Sequence, residues 1–313
     1  MKQLLVAVAV LALVTGCAAE DSDKPATTTT PAAEPAEAPS AQTPVGVVTP
    51  LAGAPEGIVV TTSGIAAVGV REPDGIRLVD ATTGVERSFV PTTGAPRHLS
   101  LAGPAGPVLA PHDAVTTSDG TTVVTNEMGG GVVFVRDGAV SASLPAGPVQ
   151  PGGLAAVGEY AAVADVQGNG VWIYSGPDHE LVAQAPLGTK LTHATALGRD
   201  LAAFADTDGG AVFIERVDPQ VSEVSRIEAP GNPYGLAYDP QRKLLLITLT
   251  ESNVLRVVDI ADPTAPRPIV DLPTVRQANS VAVDTRSGDV LVTGSNPGDE
   301  SSLQIIPAEA LTP

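Results

Sequence analysis

From about residue 45 to its end, the chain is a succession of short apolar or alternating runs. Each is cut off by Gly, Pro, Asn or Asp. Runs this short, rich in Val, Ile, Leu and Ala, predict β-strands joined by tight turns. Long runs of helix formers are absent. One seven-residue phrase returns at 54–60, 95–101, 110–116, 150–156, 191–197, 232–238 and 277–283. Its second position falls at Pro55, Pro96, Pro111, Pro151, Thr192, Pro233 and Ala278, in steps of 41, 15, 40, 41, 41 and 45 residues. A period near 41 with four short strands predicts a β-propeller, one blade per repeat.

The first repeat predicts strands at 58–62, 66–70, 76–80 and 86–90, with a Pro-Asp-Gly turn after the second. Third strands carry the bulkier side chains Phe134, Trp172, Phe213 and Leu255, expected between blades. The last repeat offers three strands, at 280–284, 290–293 and 303–306. Its missing outer strand is assigned to residues 45–49, so that an N-terminal strand closes the ring and removes an open edge. The second repeat, 15 residues long, holds only 98–101 and 108–110. It is either a half blade, its edge blunted by Pro104, Pro107 and Pro111, or a hairpin inserted in a six-bladed ring. The seven phrase copies favour the half blade. The expected fold is thus all-β, a β-propeller with seven blade positions, one of them truncated.

Hydrophobic residues make up 43% of the chain and aromatics 3%, so the core must be built from small aliphatic side chains. The formal charge of −18 excludes nucleic acid as a partner, which requires a basic footprint. A single cysteine, Cys17, rules out an internal disulfide.

Lys2, an apolar run over 4–14 and small residues after it read as a secretory signal, too short to span a membrane. Leu13-Val14-Thr15-Gly16-Cys17 resembles the bacterial lipobox. That resemblance implies removal of residues 1–16 and a mature lipoprotein held by lipidated Cys17 on the extracytoplasmic face of the cell membrane. Residues 17–43, rich in Ala, Pro, Thr and Glu, are expected to be a disordered linker, since residues 18–43 lack Ile, Leu, Val, Phe, Tyr and Trp. The propeller takes 44–313.

The phrase, the period and the third strands Ile76-Arg77-Leu78-Val79-Asp80 and Arg256-Val257-Val258-Asp259 resemble the YVTN/NHL-type, YncE-like propellers over about 45–313. The resemblance implies the fold and says little about chemistry. The Trp-Asp pair and Gly-His signature of WD40 repeats are missing.

In a propeller the phrase strand is innermost, and its start shares one face with the end of the second strand. The candidate binding set on that channel mouth is Glu56, His98, His112, Asp113, Asn126, Asp165, His193, Asp206 and Asn279. Arg97, Tyr234, Glu127 and Asn253 fall on the same face. His112, His193 and Asp206 are the metal candidates, because imidazole and carboxylate suit divalent cations, with calcium the cofactor considered. The plainer reading is a polar, water-filled channel whose His and Asp side chains satisfy backbone groups. Gly129-Gly130-Gly131 precedes a strand, unlike a phosphate loop, and neither His-Glu-x-x-His nor Gly-x-Ser-x-Gly occurs. The expected function is a lipid-anchored binding or scaffold module for an unknown protein or small-molecule ligand. The alternative is a calcium-type lactonase or hydrolase like the gluconolactonase-type propellers.

Overall fold

The computed structural model describes residues 34–99, 111–198, 200–217, 220–295 and 301–312. The first strand, β1 (Val47–Pro50), lies far in sequence from its partners. Blade 1 follows as β2 (Pro55–Val60), β3 (Ile65–Arg71), β4 (Asp74–Asp80) and β5 (Glu86–Pro91). Blade 2 is β6 (Pro111–Thr116), β7 (Thr122–Asn126), β8 (Val132–Arg136) and β9 (Ala139–Leu144). Blade 3 is β10 (Pro151–Val157), β11 (Tyr160–Asp165), β12 (Gly170–Ser175) and β13 (Glu180–Pro186). Blade 4 is β14 (Leu191–Gly198), β15 (Leu201–Asp206), β16 (Ala211–Val217) and β17 (Val221–Glu228). Blade 5 is β18 (Pro233–Asp239), β19 (Leu244–Leu249), β20 (Val254–Asp259) and β21 (Arg267–Pro273). Blade 6 is β22 (Ala278–Val283), β23 (Val290–Gly294) and β24 (Ser302–Ile306), completed on the outside by β1. Each blade is an antiparallel four-stranded sheet.

Side-chain size explains the layering. Second strands such as β15 (LAAFAD) and β19 (LLLITL) are buried along their whole length, because a neighbouring blade covers each face. Their small and aliphatic side chains suit a sheet packed on both sides. Outer strands such as β9 and β13 are largely exposed. Phe134, Phe213 and Leu255 are buried in the interblade clusters as expected, while Trp172 is half-buried at the edge of one.

Among the described residues there are six blades, which corrects the expectation of seven blade positions. The second phrase copy forms no strand over residues 95–99, and the expected strand at 108–110 lies outside the described residues. An inner strand draws its ladder from the second strand of its own blade, and among the described residues this copy pairs with none. The segment still occupies the flank that a following inner strand takes elsewhere. A Cβ on Gly57 would stand 2.7 Å from the Arg97 carbonyl oxygen, just as one on Gly153 would press on the backbone of His193 and Ala194. Glycine at these points lets two backbones touch.

This insertion has an energetic counterpart. Buried apolar clusters fill the junctions of blades 2 and 3, 3 and 4, 4 and 5, 5 and 6, and 6 and 1. No such cluster spans blades 1 and 2 among the described residues. Polar groups bridge that junction instead, as described below.

The closing strand is where residues 45–49 placed it. β1 pairs with β24 in the register Val47↔Ile305 to Pro50↔Ser302. Val47 and Val48 are exposed, so the strand is held by its ladder and its ends. Val45 packs into the blade 5–6 cluster, its carbonyl accepting from Gln304 Nε2 at 2.7 Å, and Leu51 is buried against blade 1.

Deleting residues 45–50 should cost about 4 kcal/mol, at about 1 kcal/mol per ladder hydrogen bond, and lower Tm by roughly 8 °C. Calorimetry of the deletion variant checks this; an unchanged Tm would mean that the ring closes without the strand.

Candidate functional site

The six inner strands surround a cavity of about 400 Å³, lined by Gly57–Val60 of β2 and by residues of β6, β10, β14, β18 and β22. Segment 95–99 delivers His98 and Leu99 to its wall. His98 and His193 line it, and His112 packs against His98. The His98 ring centroid lies 4.3 Å from that of His112 and 4.6 Å from that of His193. His193 packs on Tyr234 at 4.2 Å. Burial holds all three imidazoles below their ordinary value of 6.5, and their mutual repulsion and the nearby Arg97 guanidinium push His98 and His193 the same way.

His193 Nε2 and His98 Nε2 are 2.9 Å apart, which requires opposite tautomers of two neutral rings. A proton on His98 Nδ1 faces Asp113 Oδ2 at 3.8 Å. His193 then donates from Nε2, leaving its buried Nδ1 as an acceptor without a partner. Asp113 also ties two blades together. Its Oδ1 accepts from Ala114 N and its Oδ2 from Leu154 N, both at 2.8 Å. Burial raises its carboxyl to about 6, against the pull of those two amides.

Beside the histidines, also where the inner strands begin, lies a charged cluster. Buried Glu56 receives Arg97 Nη2 at 2.6 Å and Nε at 2.9 Å, and its Oε2 is 3.0 Å from Arg71 Nη2. Burial pushes the Glu56 carboxyl up, and the two guanidiniums work against that. Burial opposes the charge of Arg97 too, but Glu56, Tyr234, Glu127 and Glu34 around it raise its pKa overall. Glu127 lies 3.9 Å from Arg97 and accepts from Gln150 Nε2 at 3.2 Å. This pairing, with the His98–Asp113 contact, bridges blades 1 and 2.

The remaining sequence candidates are structural. Asp165 accepts from Val149 N at 2.9 Å, Gln150 N at 3.0 Å and Gly168 N at 3.0 Å. Asp206 Oδ1 accepts from Thr189 N, Thr189 Oγ1, Lys190 N and Gly209 N at 2.8–3.2 Å. Each staples the loop leading into an inner strand to the turn after the second strand. Asn126 lies against Gly129 in the same kind of turn. Asn279 Nδ2 donates to Pro55 O at 2.9 Å and its Oδ1 accepts from Thr293, joining blade 6 to blade 1. Of the three metal candidates, His112 and His193 approach one another, whereas the Asp206 carboxylate is turned to its own loop. Among the described residues no three His, Cys, Asp or Glu side chains are arranged to hold a metal ion.

Two features of the sequence mark these roles. In Asp165-x-x-Gly168 and Asp206-x-x-Gly209 the carboxylate accepts the glycine N–H, and the glycine leaves room for the side-chain oxygens; Asn126-x-x-Gly129 has the same spacing but is closed by the Asn126 backbone carbonyl. Arg71 was missed altogether, because it ends a strand that read as ordinary; its charge, among so few basic residues, was the clue.

No protein-family model and no curated protein sequence matches the chain. Solved structures do. A streptogramin B lyase structure superposes with a TM-score of 0.64 at 14% identity, covering 83% of this chain and 97% of that one. The WD40 repeats of RRP9 give 0.53 at 13%, covering 86% and 99%. A chain of the mitotic checkpoint complex gives 0.55 at 13%, covering 90% and 99%. At such identities the likeness establishes the β-propeller fold alone.

Two outcomes test these roles. Asp165→Ala leaves three backbone N–H groups without their acceptor and should lower the unfolding free energy in urea by about 3 kcal/mol. The second concerns pH. The three imidazoles, lowered from 6.5, stabilise the fold fully above about pH 6.5 and lose that contribution as pH falls, since the unfolded chain then binds more protons. Asp113, raised to about 6, and Glu215, raised to about 7, act in the opposite sense as pH falls, and so does Glu56, whose carboxyl is also raised. The net slope between pH 6.5 and 5 is the balance of these three carboxyls against the three imidazoles. His193→Gln should make the slope of stability against pH less positive by up to about 1.4 kcal/mol per pH unit; an unaltered slope would show that His193 is not among the groups responsible.

Proposed function

We propose that this chain is a lipid-anchored, extracytoplasmic binding module that presents the mouth face of its propeller to a protein or small-molecule ligand. The observation that carries the reading is the composition of that face. Its centre gathers Glu56, Arg71, Arg97 and Glu127 within ion-pair distance of one another. Beside it stand two exposed apolar side chains, Met128 and Val149. A charged centre flanked by exposed apolar residues is chemistry suited to recognition. The similar chain of the mitotic checkpoint complex belongs to an assembly, which supports a protein partner for a fold of this kind.

The anchor rests on Leu13-Val14-Thr15-Gly16-Cys17, the sole cysteine lying where a lipobox requires it. Acyl chains there would hold the head at a membrane, at roughly 0.8 kcal/mol per buried CH₂. The lactonase reading gains no support, since the histidines are engaged with one another and with blade-linking groups.

Replacing Cys17 with Ser should move the protein from the membrane fraction to the soluble fraction and abolish incorporation of labelled palmitate; retention of label would refute the anchor. A photo-cross-linking residue at Val149 should yield adducts in cells, and the same residue at Val182 on outer strand β13 should not. Equal labelling at both sites would refute the mouth face as the binding surface.

A further inference from the structure

Residues 34–39 read Glu-Pro-Ala-Glu-Ala-Pro and form no secondary structure, yet they are docked on the mouth face. Glu34 reaches Arg71 Nη1 at 3.5 Å and Nη2 at 3.4 Å, and Arg97 Nη1 at 3.6 Å. Four residues on, the Ala38 carbonyl accepts from Arg276 Nε at 3.0 Å, and the Pro39 carbonyl accepts from Asn253 Nδ2 at 2.9 Å. Ala38 itself is buried. The contacts run from blade 1 to the loops of blades 5 and 6, so the strap crosses the ring.

Hydrophobic burial contributes through Pro35 and Ala38, both buried, but the strap offers no apolar side chain larger than a proline ring. What holds it is what holds an extended peptide in a receptor: side-chain donors to main-chain carbonyls, and a guanidinium pair for a carboxylate. The fit of the carboxylate is loose. Glu34 lies 3.4–3.6 Å from its partners, against 2.6–3.0 Å for Glu56 with the same two arginines. Arg71 Nε is buried and has no hydrogen-bond partner, so the site retains a donor that Glu34 does not use. Glu34 is also half-exposed, and an ion pair of that kind holds weakly.

We infer that the mouth face is a binding site for an extended acidic peptide, in which Arg71 and Arg97 take a side-chain carboxylate, and that residues 34–39 occupy it in cis as a stand-in. This deepens the binding reading above and rests on it. The ligand is a Pro- or Ala-rich segment of another protein carrying Glu or Asp, which displaces the strap. Over most of a chain with 35 acidic and 17 basic residues such a ligand is repelled, which confines it to this pair.

The test uses the full chain and a fluorescent peptide, Ala-Glu-Pro-Ala-Glu-Ala-Pro-Ser, followed by anisotropy. The Glu34→Gln chain, its strap loosened, should bind the peptide about fivefold more tightly than the native chain, the shift expected for losing a pair worth about 1 kcal/mol. A peptide with Gln in place of its first Glu should bind that chain at least fivefold more weakly. Arg71→Gln, made in the Glu34→Gln chain, should narrow the difference between the two peptides, with Arg97 keeping the remainder. Failure of the Glu34→Gln chain to bind, or equal binding of the two peptides to it, overturns the inference. So does discrimination undiminished by Arg71→Gln. Should Arg71→Gln fail to fold, the two peptides on the Glu34→Gln chain decide alone. If cross-linking at Val149 persists while the peptides bind alike, only the carboxylate site falls and the binding face stands.

Discussion

The contact between Glu56 and Arg97 carries more than its own energy. A propeller is stable because each wedge between blades is filled with side chains. Five of its junctions here are filled by apolar clusters, and among the described residues the junction of blades 1 and 2 is not. There a strandless segment enters the ring and is fixed through Arg97 to Glu56 and through His98 towards Asp113. A buried ion pair adds little net stability compared with an apolar filling, but losing one partner strands the other, so it specifies geometry strongly. The cavity wall and the mouth both depend on where this segment is held.

The consequence is a channel entrance with two chemically distinct groups side by side. One is neutral: three imidazoles whose protonation is opposed by burial, joined by ring contacts and a hydrogen bond. The other is charged, with two guanidiniums set among Glu56, Glu127 and Glu34. Neutral histidines beside a charged cluster avoid adding cations to a site that already holds two arginines. The same segment, 95–99, supplies Arg97 to one group and His98 to the other, so the two are mechanically coupled.

The repeat-derived carboxylates show why position alone misleads. Asp165 and Asp206 stand at the end of second strands, on the mouth face, where a ligand donor would be placed. Each is consumed by backbone amides of the loop that starts its own inner strand. Bonding these amides within the protein fixes the loop that leads into each of the two inner strands. Recurrence at a fixed place in the repeat is therefore a mark of scaffolding. Glu56 and Arg97 share one position of the repeated phrase, but no other copy carries either residue there, and with Arg71 they make up the mouth.

The order of residues is enough to specify the strands, the meander of each complete blade, the small-residue second strands and the N-terminal closing strand. These follow from local alternation, turn residues and a period, which are properties of neighbouring residues. It also placed His98, His112, His193 and Glu56 at the ring's centre, since phrase position maps to channel position. Only the tertiary structure decided the number of blades, because whether the 15-residue repeat becomes a sheet depends on strand partners the spacing does not reveal. It alone decided that Asp206 turns away from His193, that Arg71 meets Glu56, and that residues 34–39 lie across the mouth. Those are contacts between side chains tens to hundreds of residues apart, fixed by how the ring closes rather than by anything a single segment encodes.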